Sequence, residues 1–185
     1  MFGYWNYVIY SIARSVYDES NAVSESFRRA VLDNGEIGGF YNGVAFAAAF
    51  ALVPFARRFG AATAHAACLF AAGLGMLAIP HISEKIWLFL PAIGIGLGWA
   101  SIMGNPYIIL ANSIPPERTG VYMGIFNMMI VTPMLLNALT MPLYFDAWLG
   151  GDARNVLTLC GVLMACAAVC VLWTRETRPA SSLTS

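Results

Sequence analysis

Charged side chains are scarce in this sequence. Only 11% of its 185 residues are charged and 59% are hydrophobic, whereas soluble domains average about 25% charged residues. A soluble chain of this length has too little interior to bury so much apolar surface. Because ten basic residues balance ten acidic ones, no net charge attracts nucleic acid or another polyanion. The composition therefore excludes an ordinary soluble domain and argues against a nucleic-acid partner.

Residues that carry catalysis or bind metals are equally few. The two histidines, His65 and His81, lie far apart, and there is no Ser-His-Asp arrangement, phosphate loop or zinc-ligand spacing. No carboxylate lies deep in an apolar run, so the usual buried proton-coupling acid is missing. We therefore expect neither an enzyme nor a metal or cofactor site. The cysteines fall inside apolar runs and are interpreted as small packing residues: Cys68, Cys160, Cys166 and Cys170.

Long uncharged runs make up most of the chain. A helix needs about 20 residues to cross the hydrocarbon core of a bilayer; five of the six runs reach that length, and the first, of 13 residues, is too short. The sequence predicts an all-α integral membrane protein, a six-helix bundle over residues 1–174 with a truncated first helix. The predicted spans are 1–13, 36–56, 60–80, 86–111, 120–144 and 155–174. The tail over 175–185 is basic, then serine-rich, and is expected to be disordered.

The connections between the spans indicate an orientation. Lys and Arg divide five against five between the two sides, so their count alone does not decide. Short turns favour the side of Arg57 and Arg58, and eight of the ten acidic residues fall on the other side. We expect the Arg57 side and the C-terminus to be cytoplasmic, in a multi-pass protein of the cell (inner or plasma) membrane. Residues 15–34 are expected to form a solvated loop, with room for a short surface helix.

The predicted spans contain regularly spaced small residues and several prolines. Gly35, Gly39 and Gly43 recur every four residues, and Ala47 and Ala51 continue the row, so that all five share one helix face. Such a face predicts close helix packing in lipid, although it suits the lining of a pathway as well. Thr63, Ala67, Ala71 and Gly75 repeat the pattern in the third span. In the fourth span, Pro106 is expected to kink or interrupt the helix.

Amides and aromatic rings inside the spans are the candidates for binding. Amide groups hydrogen-bond the hydroxyls of a sugar, and aromatic rings cover its apolar face. The alternative for each amide is a hydrogen bond between helices, and for each ring it is anchoring at the membrane interface. The Asn105-Pro106-Tyr107 cluster is the strongest candidate. The other intramembrane amides are Asn6, Asn42, Asn127 and Asn137.

Two segments carry a resemblance to a known family. They cover residues 38–60, which end in Phe-Ala-Arg-Arg-Phe-Gly, and 94–136, which contain Ser113-IPPERTGVYMGIFN-Asn127. Together they resemble the C-terminal half of major facilitator superfamily carriers, and most closely the sucrose/maltose-type proton symporters related to the glycoside–pentoside–hexuronide carriers. The Pro-Pro-Glu-Arg sequence followed by Gly120-x-x-x-Gly124 is similar to that group's connection between its tenth and eleventh helices.

The resemblance implies a fold, a function and a set of residues. The six spans become helices 7–12 of a twelve-helix carrier that binds a disaccharide such as sucrose or maltose and moves it by alternating access with proton symport. The substrate-binding candidates are Asn6, Tyr10, Asn105, Tyr107 and Asn127. The loop residues that would affect gating are Arg57, Arg58, Glu117 and Arg118. The implied partners are a sugar, a proton, the lipid bilayer and a missing N-terminal half.

Other readings of the sequence stay open. Because the N-terminal half and its coupling acid are missing, we expect this chain alone not to be a competent symporter, and a truncated or non-transporting membrane fragment or subunit is the alternative. A membrane enzyme acting on lipid requires intramembrane acids or histidines in a reactive arrangement, which the sequence lacks. The sequence leaves open which sugar is carried, whether protons or sodium ions couple, and whether copies associate.

Overall fold

Helices account for most of the structure. The computed structural model describes residues 1–111 and 114–173, so the tail predicted over 175–185 lies outside the described residues. In the described part there is no strand. Short 3-10 turns lie at Ile79–His81, Lys85–Leu88 and Pro116–Arg118. The helices are α1 (Phe2–Tyr17), α2 (Glu25–Phe59), α3 (Ala61–Ala78), α4 (Phe89–Ala111), α5 (Thr119–Leu149) and α6 (Ala153–Leu172).

Five of these helices suit a bilayer. With their flanking turns, α2 to α6 are each long and apolar enough to cross a membrane. The described helices thus support the predicted multi-pass membrane protein. α1 has 16 residues and is not one of the five.

The second helix begins earlier than the sequence predicted. α2 starts at Glu25, whereas a solvated loop was expected over 15–34. The cause is the residue before it: Ser24 Oγ accepts a hydrogen bond of 3.0 Å from the backbone N–H of Phe27, which caps a helix N-terminus. α1 likewise runs past its predicted end to Tyr17, and α5 runs on to Leu149. Charge density therefore marked where α2 becomes apolar, not where it becomes helical.

Prolines do not break the long helices. α4 continues through Pro106, so the interruption that the sequence allowed there does not occur. α5 continues in the same way through Pro133 and Pro142. A proline removes one backbone donor, and helices at membrane depth tolerate this loss where local adjustments satisfy the freed carbonyl.

Helix α3 is the centre of the bundle and packs through its small residues. It lies against α4, α6 and α2. A Cβ atom on Gly75 would lie 2.6 Å from the carbonyl oxygen of Pro91, and one on Gly73 would lie 2.9 Å from that of Gly161. Only glycine permits such close approach of two helix backbones. The predicted small face of the third span is thus correct at Gly75, whereas Thr63 and Ala67 are exposed.

The glycine row of α2 does not pack. Gly35, Gly39 and Gly43 are partly or fully exposed, and a Cβ on any of them would meet nothing within 4 Å. The expectation of a packed face is wrong within the described chain, because α2 turns a different side to α4. On that side the carbonyl oxygen of Tyr41 would lie 2.6 Å from a Cβ on Gly96.

Helix α5 lies apart from the rest of the bundle. Met141 is its one buried residue, and its other apolar side chains are exposed or half-exposed. It meets α4 through Tyr107, whose hydroxyl donates a 3.1 Å hydrogen bond to Asn127 Oδ1 and whose ring lies 4.9 Å from that of Phe126. The space between α5 and α1 forms a cavity, which is described below.

Polar bonds tie α1, α2 and the α3–α4 turn together at one end. Lys85 Nζ lies 2.7 Å from Asp33 Oδ1 and 2.7 Å from Glu36 Oε2. The Tyr17 hydroxyl donates to Asp33 Oδ2 at 2.6 Å. Ser15 Oγ donates to the carbonyl oxygen of Pro80 at 3.0 Å. Asp33 is thus a buried helix residue with two partners on other elements, not a residue of a solvated loop.

Candidate solute-binding cavity

A cavity of about 710 Å³ lies between α1 and α5. One wall is the face of α1 that carries Phe2, Asn6, Tyr10 and Arg14, which are four residues apart and so share one side of the helix. The other wall is the C-terminal half of α5. The α5–α6 loop and the residues that follow α1 surround its mouth. The lining residues used below are Asn6, Tyr7, Tyr10, Arg14, Glu19, Phe27, Asn137, Phe145 and Asp152.

Two residues predicted to bind the solute lie on the α1 wall. Asn6 is exposed, and its Nδ2 donates a 2.8 Å hydrogen bond to the carbonyl oxygen of Phe2 in the preceding turn. Tyr10 lies one turn further on and is 48% exposed. Asn137 faces them from α5, although the sequence marked it only as an intramembrane amide. The cavity therefore offers amide and hydroxyl groups from two helices.

Aromatic rings form the apolar part of the wall. The rings of Tyr7 and Phe145 lie 5.4 Å apart between α1 and α5, and those of Tyr10 and Phe27 lie 5.2 Å apart between α1 and α2. Rings and amides on facing helices are the combination that holds a polyol through both its apolar face and its hydroxyls.

Charged groups surround the cavity mouth. Glu19 Oε1 accepts hydrogen bonds from the backbone N–H of Asn21 at 2.7 Å and of Ser20 at 2.8 Å. These bonds, with that from Asn21 the most important, lower the pKa of the Glu19 carboxyl below its ordinary value. Arg14 lies on the same wall and forms no ion pair among residues 1–111 and 114–173.

Asp152 is the second carboxylate at the mouth and is held by its own helix. It caps α6 by accepting from the Arg154 backbone N–H at 2.8 Å, and its Oδ2 lies 2.7 Å from Arg154 Nη2. The side-chain bond from Arg154 lowers the pKa of the Asp152 carboxyl. Both Glu19 and Asp152 thus remain anionic at neutral pH.

The other predicted binding residues lie elsewhere. Asn105 is 4% exposed, and its Nδ2 donates to Ser101 Oγ at 2.8 Å. Tyr107 and Asn127 bond to each other where α4 meets α5. The structure therefore brings Asn6 and Tyr10 together, pairs Tyr107 with Asn127, and separates Asn105 from both. Neither Asn105, Tyr107 nor Asn127 lines the 710 Å³ cavity.

One contact joins the cavity wall to α4. The rings of Trp5 and Trp99 meet edge to face at 4.9 Å. Trp5 is the neighbour of Asn6 in α1, and Trp99 precedes Ser101 in α4 by two residues. α4 therefore contacts α1 beside the cavity and α5 at Tyr107.

The predicted gating residues are exposed at the opposite end of the bundle. Arg57 and Arg58 occupy the last turn of α2, where basic groups favourably face the negative end of the helix dipole. Glu117 and Arg118 lie in the 3-10 turn that precedes α5. None of the four forms an ion pair within the described chain.

Sequence reasoning missed several residues that the structure brings together. Phe145 and Asp152 fell at or beyond the predicted end of the fifth span, so neither was assigned to a site. His65 was set aside because it is far from His81 in sequence, yet its Nδ1 lies 2.8 Å from Ser101 Oγ. The signal available was its position: an ionisable residue inside an apolar run usually has a partner.

No known protein family, curated protein or solved structure matches this chain.

Proposed function

We propose that this chain is the solute-binding half of a sugar carrier, with the cavity between α1 and α5 as its binding site. The observation that carries the proposal is the composition of that cavity: the predicted residues Asn6 and Tyr10 share it with Asn137, Tyr7 and Phe145. Its volume of about 710 Å³ lies within the range of about 300–1,000 Å³ usual for small-molecule sites. A disaccharide such as sucrose or maltose fits this chemistry.

The charges at the mouth favour a neutral solute. Glu19 and Asp152 are both anionic, and Asp152 is already paired with Arg154. Arg14 acts electrostatically on both carboxylates, so that these two carboxylates and the two arginines together give the mouth no net charge. Such a mouth does not strongly attract an anion or a cation, so it suits an uncharged sugar. Binding then depends on amides and rings, as expected for a solute that must also be released.

Helix α5 supplies the movement that transport requires. It contributes Asn137 and Phe145 to the cavity while burying only Met141. A wall held by so few contacts closes over a solute at low cost. Alternating access by proton symport follows the family resemblance, in which a second half of the carrier completes the cavity. The cavity mouth lies at the end opposite Arg57, so under the proposed orientation it faces outward.

Binding to the isolated chain tests the proposal most directly. Radiolabelled sucrose and maltose would be titrated against the protein in phospholipid nanodiscs. Asn6→Ala and Tyr10→Ala should each weaken binding. Asn42→Ala is the matched control, because Asn42 Nδ2 donates to the carbonyl oxygen four residues earlier just as Asn6 Nδ2 does, but outside the cavity.

Uptake measurements then separate transport from binding. Cells that lack disaccharide uptake would express the chain with and without its natural upstream sequence. Protonophore-sensitive accumulation that is lost in Asn6→Ala and kept in Asn42→Ala supports the carrier. A chain that binds neither sugar in nanodiscs and supports no uptake in either form returns the assignment to a non-transporting membrane subunit.

A further inference from the structure

Three polar side chains form a buried cluster where α3 packs on α4, away from the solute cavity. His65 lies in α3, and Ser101 and Asn105 lie one turn apart in α4. Ser101 Oγ is 2.8 Å from His65 Nδ1 and accepts a 2.8 Å hydrogen bond from Asn105 Nδ2. All three side chains are buried, and Ser101 is fully inaccessible.

His65 has a neutral partner. Its ring nitrogen contacts the Ser101 hydroxyl, and no ion pair among the described residues includes it. An ionisable residue at membrane depth is costly and is retained mainly where a pathway or switch needs it. Plain packing would be served equally well by an apolar residue of similar size.

We propose that His65 is the site where the carrier takes up its coupling proton. This inference rests on the function proposed above and names the ion and the residue that couple it. Histidine is the side chain whose charge changes most easily near neutral pH. In the neutral tautomer that carries its hydrogen on Nε2, Ser101 donates its hydroxyl hydrogen to His65 Nδ1 while accepting from Asn105 Nδ2.

Proton uptake rearranges these bonds in a defined way. A hydronium ion of the aqueous phase gives its proton to the lone pair of His65 Nδ1 and becomes water, and the ring becomes an imidazolium that donates from both nitrogens. Ser101 Oγ must then accept from Nδ1 as well as from Asn105 Nδ2. Its own hydrogen turns to a backbone carbonyl of α4, as helical serines commonly allow. The interface between α3 and α4 thus has two hydrogen-bonding patterns, one with His65 neutral and one with His65 protonated.

Helix α4 connects this interface to the cavity. Ser101 lies two residues after Trp99, whose ring contacts Trp5 beside Asn6. Tyr107, six residues after Ser101 on the same helix, contacts α5 through Asn127. A shift of α4 on α3 therefore moves the contacts of both cavity walls. Protonation of His65 and binding of the solute then favour the same arrangement of α3 and α4. Each therefore raises the affinity of the protein for the other, as symport requires.

Nitrogen NMR of the histidine rings tests the proton site without any solute. The chain would be labelled with ¹⁵N-histidine in nanodiscs, and its two rings would be assigned with His81→Gln. The ring nitrogens of His65 should move from the neutral to the imidazolium positions between pH 8 and pH 5, and Ser101→Ala should shift that transition. A His65 ring that stays neutral down to pH 5 overturns the inference, regardless of the result of the sugar-binding assay.

Binding as a function of pH tests the coupling. Sucrose or maltose affinity should change on the order of tenfold between pH 8 and pH 5, lose that dependence in His65→Gln and keep it in His81→Gln. An unchanged pH dependence in His65→Gln refutes the coupling role while the sugar site stands. Replacement of the pH dependence by a sodium dependence refutes it too. If neither sugar binds at any pH, the proposed function fails, and the NMR titration alone decides whether His65 binds a proton.

Discussion

The packing of α3 on α4 gives the sharpest test of the fold. In Gly75→Ala the new Cβ would lie 2.6 Å from the Pro91 carbonyl oxygen, whereas real Cβ atoms essentially never approach closer than 3.0 Å. The two helix backbones must therefore separate by at least about 0.4 Å, because neither partner is a movable side chain. Overpacking of this kind costs about 1–3 kcal/mol. For a chain of this size, each kcal/mol lowers the melting temperature by about 2–4 °C.

Thermal unfolding of the purified protein in detergent measures this effect. In a background in which Cys160, Cys166 and Cys170 are replaced by serine, the exposure of buried Cys68 to a thiol-reactive dye reports the separation of α3 from its neighbours. Gly39→Ala on α2 is the matched control, since nothing lies within 4 Å of its Cβ position. The control should leave the melting temperature unchanged or slightly raised. If Gly39→Ala proves the more damaging of the two, the glycine row of α2 is the packed face and the helix arrangement described above is refuted.

Three further predictions follow from the polar contacts. Lys85→Met leaves the buried Asp33 carboxylate without its counter-ion and should lower the melting temperature, with partial recovery when Asp33→Asn is added; an equal loss in single and double variants would contradict the pairing. Because the folded-state pKa of Asp152 is depressed by Arg154, its contribution to stability is present above the ordinary value of 3.8 and is lost as pH falls through the lower folded value. Between pH 6 and pH 3 the wild type should therefore lose more thermal stability than Asp152→Asn, and parallel losses would show that the pair adds nothing. Tyr107→Phe removes the hydrogen bond between α4 and α5, worth about 0.5–1.5 kcal/mol, and should speed amide exchange in α5 but not in α3.

The sequence predicted the apolar helices well and their ends poorly. Apolar runs of about 20 residues mark helices at membrane depth, because every backbone group there must be bonded within its own segment. The helix ends depend on local bonds instead. Ser24 begins α2 inside a charged stretch, and the residues that it makes helical include Asp33. A pattern based on charge alone misses such a cap.

The direction in which each helix face points was the harder problem. Gly39 and Gly75 have the same sequence pattern around them, yet one faces open space and the other a carbonyl oxygen of α4. Periodicity identifies the residues that share a face but not the helix that the face meets. The same difficulty applies to the candidate site. Asn6 and Tyr10 both line the cavity from one face of α1, whereas Asn105 bonds to Ser101, which contacts His65 of α3.

The length of α2 has a consequence for the position of the protein in a bilayer. At 1.5 Å per residue, its 35 residues extend about 52 Å, and a hydrocarbon core is about 30 Å thick. An upright α2 would therefore project its charged N-terminal turns through the headgroup layer, and a tilted one would bring them down into it. Asp33 precedes the uncharged run that begins at Ile37, so a bilayer centred on that run would place Asp33 and its partner Lys85 near the headgroups, where lipid phosphates and amines would compete for the same charges. Bilayer thickness and headgroup charge then influence how firmly this end of the bundle is held, so the lipid composition becomes a variable of the protein's stability.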